Sequence, residues 1–325
     1  MSPKEISKKK VSKKSDRVID SPSSPAGKMV HEQLGLYVYP EKEKKASTLE
    51  VKKSDHPKVS KFNDIDLNKW KEYGDIITDS LWLIGSRDRS GMHTAELHGN
   101  FIPQIPHQAM LRYTKQGEIV LDTFSGSGTT LIECKRLGRH GIGIELLPSL
   151  VKRSQELINK ETNPYNVVTK VVEGNSCLPK TTRKVKRLLQ EEYKKENVQL
   201  IIMHPPYHDI IKFSDHPEDL CNAPTNEDFL EKFSTVVRNT FELLEKNRFL
   251  VLVIGDKYNQ GEWIPLSFYT MQKVLENGYK LKSIAVKNIV GTRAKRNVEH
   301  LWRRRALGGG FYIFKHEYIM FFQKR

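Results

Sequence analysis

Cysteine is scarce in this 325-residue chain, and the cysteines show no metal-binding pattern. The three, Cys134, Cys177 and Cys221, lie far apart and lack the paired spacing of a metal site. The eleven histidines include no H-x-x-x-H pair on a predicted helix with a third ligand nearby. We therefore expect no metal, and a reducing cytoplasm is the simplest location.

Long apolar runs are also missing. The longest strongly apolar run, Phe249 to Ile254, is far too short to span a membrane. The amino-terminal residues contain no apolar core of the kind found in signal peptides. We therefore expect no membrane partner.

Acidic residues are too few to balance the basic ones. The chain has 54 Lys and Arg against 39 Asp and Glu, a formal charge of +15, and this excess favours a polyanionic partner. Residues 1–62 are rich in Lys, Ser and Pro and are predicted to form a flexible basic arm, which serves either nucleic-acid contact or solubility. Residues 63–325 are long enough for one sizeable domain.

A glycine-rich turn lies at Asp122–Thr130, with the sequence DTFSGSGTT. It follows a predicted buried strand over 118–122 and precedes a predicted helix over 130–138, so a ligand there can touch backbone amides. Gly126 and Gly128 permit close approach, and Thr129 and Thr130 are predicted to cap the helix. The spacing is neither that of a P-loop nor G-x-G-x-x-G. A second predicted strand, 141–145, ends in Glu145, where doubly wound folds offer an acid to ribose hydroxyls.

A second motif, His204-Pro-Pro-Tyr207, follows the apolar run 198–203. A buried strand there would deliver the motif to the same sheet edge as the glycine turn. The two prolines fix their backbone and remove two donors, which leaves carbonyls that can accept hydrogen bonds from an exocyclic amino group.

Strands alternate with helices along the rest of the chain, which predicts an α/β, Rossmann-like sheet with helices on both faces. Beyond the tetrapeptide we predict helices over 226–245 and 265–277, strands over 248–257 and 281–287, and an antiparallel carboxyl-terminal hairpin that ends with 311–323.

With these motifs the chain resembles, over about residues 93–325, the DNA amino-methyltransferases that use S-adenosyl-L-methionine and modify adenine N6 or cytosine N4. The resemblance implies a seven-stranded sheet. It also implies that the glycine turn holds the methionine part of the donor, that Glu145 binds its ribose, and that Asn175 and Ser176 contact its adenine. A segment over 98–106 would close over the donor's carboxylate. The implied cofactor-binding residues are Asp122, Phe124, Ser125, Gly126, Gly128, Thr129, Glu145, Asn175, Ser176, Asn100 and Phe101.

The resemblance makes His204, Pro205, Pro206 and Tyr207 the catalytic tetrapeptide, although members of the family carry Asp, Asn or Ser where this chain has His204. A neutral imidazole has one acceptor nitrogen and would replace a carboxylate oxygen, with the Pro205 carbonyl accepting the second amino hydrogen. Activity should then fall as the pH drops through the imidazole pKa, near 6.5 if unperturbed. Tyr207 would stack on a base that has left the helix.

Several neighbouring residues are weaker candidates for this site. Phe213 and Tyr258 are candidates for the other face of the base, and Asp209 or Asp215 for orienting His204 or His208.

Basic residues between the last two predicted strands are the predicted contacts to double-stranded DNA. They are Arg293, Lys295, Arg296, Arg303, Arg304 and Arg305. Because the glycine turn precedes the tetrapeptide and little chain separates them, we expect no full-size recognition domain. Sequence readout would come from loops over 208–223 and 288–310.

Several alternatives stay open at this stage. Adenine is weakly preferred over cytosine as the target. RNA amino-methyltransferases share the motif order, and a catalytically inactive module that binds S-adenosylmethionine and DNA would also carry the glycine turn. A cognate restriction endonuclease is a further conceivable partner, and the oligomeric state is undetermined.

Overall fold

The computed structural model describes residues 60–97, 99–289 and 299–325. They belong to one unit, Asp55–Arg325. Almost all of the predicted basic arm, residues 1–62, lies outside the described residues, so the arm stays a prediction. No helix in the described ranges is long and apolar enough to cross a membrane.

The centre of the fold is a mostly parallel sheet of eight strands in the order β1-β9-β10-β6-β5-β2-β3-β4, with β7 and β8 forming a separate two-stranded ribbon. Only β10 runs antiparallel to its neighbours, β6 and β9. The strands are β1 Leu81–Trp82, β2 Ile119–Asp122, β3 His140–Glu145, β4 Thr169–Glu173, β5 Val198–Met203, β6 Leu244–Ile254, β7 Lys257–Asn259, β8 Glu262–Ile264, β9 Tyr279–Asn288 and β10 His316–Lys324.

Within the described ranges, seven α-helices accompany the sheet. They are α1 Gln104–Tyr113, α2 Thr129–Leu137, α3 Pro148–Lys160, α4 Pro179–Leu188, α5 Asn226–Phe241, α6 Leu266–Glu276 and α7 Glu299–Gly309. Short turns of other helix types lie at Leu67–Glu72, Leu189–Tyr193, His208–Ile210 and Leu220–Asn222.

The alternation of side chains along the buried strands creates two cores. Leu121 on β2 and Ile201 on β5 face a core that includes Phe229 of α5. Their neighbours Val120 and Leu200 face the opposite core, which includes Ile105 of α1. Because successive strand residues point to opposite faces, one continuous apolar run serves both layers. The prediction of an α/β Rossmann-like sheet covered on both faces is confirmed.

The strand count and several boundaries differ from the predictions. The sheet has eight strands rather than seven, because the two residues of β1 pair in parallel with β9 at the edge. So short a strand has no detectable hydrophobic period. The strand predicted over 248–257 is β6, which begins at Leu244 and ends at Ile254.

The predicted antiparallel carboxyl-terminal hairpin is present, but its connection is partly helical. β9 and β10 do pair antiparallel, but α7 lies between them, and β10 begins at His316 rather than at residue 311. Part of the basic stretch predicted as a loop over 288–310 is therefore helical.

Candidate active site

A cavity of about 440 Å³ opens at the edge of the sheet where β2 to β5 end. Its walls include residues from both sequence motifs, together with the loop after the tetrapeptide and the facing ends of β9 and β10. The predicted site residues that line it are Asn100, Phe101, Phe124, Ser125, Gly126, Glu145, Asn175, Ser176, His204, Pro205, Pro206 and Tyr207. The volume lies within the range of small-molecule sites, and sites in open α/β folds form at this edge.

The glycine turn is tight because two of its residues adopt left-handed backbone angles. Gly126 has φ of 52° and Gly128 has φ of 82°. A side-chain carbon at position 128 would come within 2.8 Å of Ile158 on α3, so glycine is required there for space as well as for conformation. Of these two glycines, only Gly126 lines the cavity.

Asp122 holds the turn together from behind the cavity wall. Its fully buried carboxylate accepts hydrogen bonds from the amide of Phe124 at 2.9 Å and from the Thr130 hydroxyl at 2.5 Å. Burial raises the pKa of Asp122 to about 6. Neither Asp122 nor Thr129 lines the cavity, so the structure gives them a part in shaping the turn.

The predicted capping of α2 by its threonines was wrong. The N-cap position is Gly128, and no side chain caps this end of the helix. Thr130 instead donates to Asp122, and Thr129 donates to Asn100 Oδ1 at 3.0 Å. The two threonine hydroxyls are engaged by the side chains of Asn100 and Asp122, and these partners compete with the helix amides for the hydroxyls.

Glu145 ends β3 beside the glycine turn and supports it from the cavity side. Its two carboxylate oxygens accept from the amides of Gly126 and Leu147, each at 2.9 Å. Burial raises the pKa of Glu145, although these amide hydrogen bonds oppose the change. Each oxygen keeps a further lone pair for a hydroxyl donor in the cavity.

Asn175 and Ser176 follow β4 and form the next part of the wall. The Asn175 amide donates to Glu218 Oε2 at 3.2 Å, while its oxygen accepts from the Cys177 amide at 2.8 Å. Glu218 therefore presents a carboxylate beside the asparagine. Ser176 donates to the carbonyl of Thr123 and so ties β4 to the glycine turn.

The segment 98–106, upstream of the glycine turn, is hydrogen-bonded to the turn through Asn100. Its amide donates to Ser127 Oγ at 2.5 Å and its oxygen accepts from Thr129. Arg87 holds the same segment by donating to the carbonyls of Asn100, Phe101 and Thr94 at 2.8 to 3.0 Å. His98, the first residue of the segment noted in the sequence, lies outside the described residues.

Two hydroxyls in the cavity wall lack hydrogen-bond partners within the described chain. Thr123 Oγ1 and Ser125 Oγ are both buried, and both residues line the cavity. Buried hydroxyls are normally paired, so these two stand out, but both oxygens have almost no accessible surface and Ser125 Oγ faces Gly143 of β3.

The tetrapeptide follows β5, and its two aromatic rings are held in fixed positions. His204 packs on Phe101 with ring centroids 4.8 Å apart and meets Tyr207 edge to face at 5.6 Å. The two polar groups of these residues, His204 Nε2 and Tyr207 Oη, are 3.3 Å apart. Tyr207 Oη also donates to Glu317 Oε2 at 2.8 Å.

Burial lowers the pKa of His204 to about 4, although the nearby carboxylate of Glu317 opposes the change. The imidazole is therefore neutral at physiological pH. The titration expected near pH 6.5 for an unperturbed imidazole therefore moves to lower pH in this environment.

The loop after the tetrapeptide brings one of the weaker candidates into the cavity and leaves others outside. Phe213 lines the cavity. Tyr258 instead stacks on Phe311 at 4.4 Å and is not part of the wall. Asp215 pairs with Lys212 on the surface, and Asp209 pairs with Lys257. Neither acid contacts His204, but Asp209 Oδ1 lies 3.6 Å from His208 Nδ1, the other histidine considered for it.

Half of the predicted DNA contacts can be located. Arg303, Arg304 and Arg305 are exposed on α7. Arg305 also lies over the ring of Trp302, 5.4 Å from its centroid. Arg293, Lys295 and Arg296 lie outside the described residues.

Among the described residues, one group could in principle hold a cation. Its members are Asp88, His93 and Glu133, whose ligand atoms all lie within 4.8 Å of one another. Arg136 already places its guanidinium 3.2 Å from Asp88 and 3.4 Å from Glu133. That positive charge disfavours a metal ion at the same carboxylates.

Sequence reasoning missed several residues of the cavity wall. Arg87 stood in a segment without a recognisable motif, while Lys287 and Glu317 lie on strands whose sequences indicate only a sheet. These last two are directly opposite each other in the β9–β10 pair. Only the strand register, which single-sequence patterns do not fix, places them beside Tyr207.

Comparisons with known proteins agree with the glycine motif. The family described as DNA methylase matches residues 6–156, which include the glycine turn and Glu145 but end before the tetrapeptide. The chain is 38% identical over 69 residues to Type II methyltransferase M.MjaII of Methanocaldococcus jannaschii, covering 20% of this chain and 13% of that protein. It is 29% identical over 140 residues to Type II methyltransferase M.BglI of Bacillus subtilis, covering 42% and 36%.

The matches therefore span about a third or less of each relative's length. Among solved structures, TrmN of Thermus thermophilus is similar at 17% identity and a TM-score of 0.44, covering 71% of this chain and 51% of that one. Over residues 6–156, which include the glycine turn, the chain is thus similar to the DNA methylase family, and shorter stretches are similar to Type II methyltransferases.

Proposed function

We propose that the protein transfers a methyl group from S-adenosyl-L-methionine to the exocyclic amino group of a base in double-stranded DNA, with adenine N6 preferred over cytosine N4. One observation carries the proposal: the glycine turn with Glu145 and the tetrapeptide with Tyr207 line the same cavity. Transfer requires donor and acceptor to share one enclosed space, because the reacting atoms must meet in a near-attack geometry.

The cavity has the groups that such a donor needs. Glu145 would accept hydrogen bonds from the ribose hydroxyls, and Asn175 with its partner Glu218 would face the adenine. Phe124 and Gly126 would hold the methionine part. When bound, the donor supplies an electrophilic methyl group on a positively charged sulfur.

The tetrapeptide side would orient the base. An exocyclic amino nitrogen is a poor nucleophile because its lone pair is delocalised into the ring, so its hydrogens must be held by acceptors. The Pro205 carbonyl would serve as one acceptor, and Tyr207 and Phe213 would offer aromatic surface to the ring. A base inside a duplex cannot reach a cavity at a sheet edge, so we propose that it is flipped.

DNA would be held by the basic surface outside the cavity. The exposed Arg303, Arg304 and Arg305 of α7 would contact phosphates. Arg293, Lys295 and Arg296, which lie outside the described residues, belong to the same predicted set. A cognate restriction endonuclease remains a proposed partner, on the ground that the curated relatives are Type II methyltransferases.

The test is transfer of labelled methyl from S-adenosylmethionine to double-stranded DNA, single-stranded DNA and RNA, with Tyr207→Ala beside the wild-type protein. We expect label in double-stranded DNA and its loss in the variant. Label confined to RNA would favour the RNA amino-methyltransferases. Binding of the donor with no transfer to any nucleic acid would favour the inactive module.

A further inference from the structure

A buried carboxylate stands beside the tetrapeptide on an element that neither motif includes. Glu317 is the second residue of β10, and its strand partner in the register is Lys287, near the end of β9. The carboxylate and the ammonium form an ion pair, with Glu317 Oε1 3.0 Å from Lys287 Nζ. Both residues are less than a tenth exposed, and both line the cavity.

The direction of the strands explains why this pair reaches the site. β6 and β9 point in the same direction because both pair antiparallel with β10, and β5 is parallel to β6. β9 therefore ends at the same edge of the sheet as β5, the strand that precedes the tetrapeptide. β10 is antiparallel to both of its neighbours and therefore begins at that edge. Residues at the end of β9 and the start of β10 thus face the tetrapeptide.

The hydrogen bonds around Tyr207 fix which groups donate and which accept. A tyrosine hydroxyl has one hydrogen, and that of Tyr207 is donated to Glu317 Oε2 at 2.8 Å. At 3.3 Å, His204 Nε2 can then only donate to the hydroxyl oxygen. Assigned from this network, the neutral imidazole carries its hydrogen on Nε2. The polar edge that His204 turns to Tyr207 is therefore a donor.

Glu317 is the acceptor at the end of this series of hydrogen bonds, which runs from His204 through Tyr207. Each of its oxygens has one hydrogen-bond partner, Lys287 for Oε1 and Tyr207 for Oε2, and a carboxylate oxygen can accept a second. Lys287 balances the charge and fixes the orientation of the carboxylate. Position 204, where the resembling family has Asp, Asn or Ser, instead carries a ring whose Nε2 supports the Tyr207 hydroxyl.

We propose that Glu317 is a catalytic residue that accepts a hydrogen of the target amino group, a task for which position 204 offers no carboxylate. This inference rests on the proposed function. In the transfer, the amino nitrogen uses its lone pair to form the new bond to the methyl carbon while the carbon–sulfur bond breaks and its electrons stay on sulfur. One amino hydrogen leaves as a proton to Glu317, which later releases it to solvent.

The assignment also defines the substrate chemistry. Glu317 and the Pro205 carbonyl both only accept, so the pair recognises a group with two hydrogens. A base with an exocyclic amino group provides them, whereas an oxygen in that position would face two acceptors.

The test compares Glu317→Gln with the wild-type protein in single-turnover methyl transfer and in donor binding by calorimetry. We expect the transfer rate to fall by about 10² to 10⁴, the range found for positioned proton acceptors, while the dissociation constant for S-adenosylmethionine stays within about twofold. Glu262→Gln, on the exposed β8, is the charge-matched control and should leave both values unchanged.

Glu317→Gln leaves Lys287 buried without its counter-charge, which endangers folding. The double variant Lys287→Met/Glu317→Gln removes both charges and should be equally slow in transfer. Adding His204→Asp to Glu317→Gln places a carboxylate in the tetrapeptide. The transfer rate of this double variant should be at least tenfold higher than that of Glu317→Gln alone.

The outcomes separate this inference from the proposed function. Transfer in both the single and the double variant within about threefold of wild type would overturn the role of Glu317 and leave the function intact. A parallel loss of donor binding would also overturn it, because the residue would then serve the cofactor. A wild-type protein that binds the donor but methylates no DNA would refute the proposed function itself.

Discussion

Replacement of Asp122 by asparagine tests whether this acid shapes the glycine turn or binds the donor. The fully buried carboxylate has a pKa raised from 3.8 to about 6, because burial penalises its charged form. Asparagine can keep both hydrogen bonds, since its oxygen can accept from the Phe124 amide and its nitrogen can donate to the Thr130 hydroxyl oxygen. The variant therefore changes the charge and little else.

The direction and size of the effect follow from the pKa. A carboxylate whose pKa is higher in the folded state contributes full stability below its unfolded value and loses it as the pH rises through about 6. A difference of about two pKa units corresponds to about 3 kcal/mol. Relative to wild type, Asp122→Asn should gain stability between pH 4 and pH 7 and exceed it by up to about 3 kcal/mol at neutral pH.

The assay is urea unfolding of both proteins at several pH values between 4 and 8, with donor binding by calorimetry at pH 7.5. We expect the stability difference to grow with pH and donor affinity to change by less than about threefold. A stability difference that does not change with pH would refute the conclusion that burial raises the pKa of Asp122. A loss of donor binding in a stable variant would show that Asp122 contacts the donor directly, as the family resemblance implies.

Three further predictions concern the cavity and the basic helix. Because the pKa of His204 is lowered to about 4, the single-turnover transfer rate should be flat from about pH 5.5 to 8, and a fall with an apparent pKa of 6.5 would contradict the buried environment of this imidazole. Ser125→Ala removes a buried hydroxyl that has no hydrogen-bond partner in the described chain, so urea unfolding should show a free energy of unfolding within about 1 kcal/mol of wild type. A larger loss would show that this hydroxyl has a hydrogen-bond partner. Replacing Arg303, Arg304 and Arg305 by alanine should lower the salt slope of DNA binding by up to about 3, whereas the same change at the exposed Lys180, Arg183 and Arg187 of α4 should not; equal slopes in both variants would rule out α7 as the contact.

Much of the fold was predictable because its central strands are short, apolar and followed by recognisable turns. The run Val198–Met203 is a strand with the predicted bounds, and Asn226 begins a helix as predicted. In α5, Thr225 caps the helix by accepting from the Asp228 amide, so a local signal marks the start. The predicted helix end at 245 was wrong, because Leu244 and Glu245 already belong to β6.

The cavity residues that belong to the glycine turn or to the tetrapeptide could also be predicted from the sequence. What could not be predicted depends on contacts between distant residues. The register of β10 against β9 pairs Glu317 with Lys287, and the packing of the cavity wall lowers the pKa of His204. Neither property has a local pattern, because each is set by elements far apart in the chain.

The central claim is that this cavity methylates an amino group in DNA. The most direct measurement is nucleoside mass spectrometry of double-stranded DNA after incubation with the protein and S-adenosylmethionine carrying a deuterated methyl group. The account predicts deuterated N6-methyladenine, with N4-methylcytosine as the second product that the site chemistry allows. Donor binding without any deuterated nucleoside in DNA would contradict it.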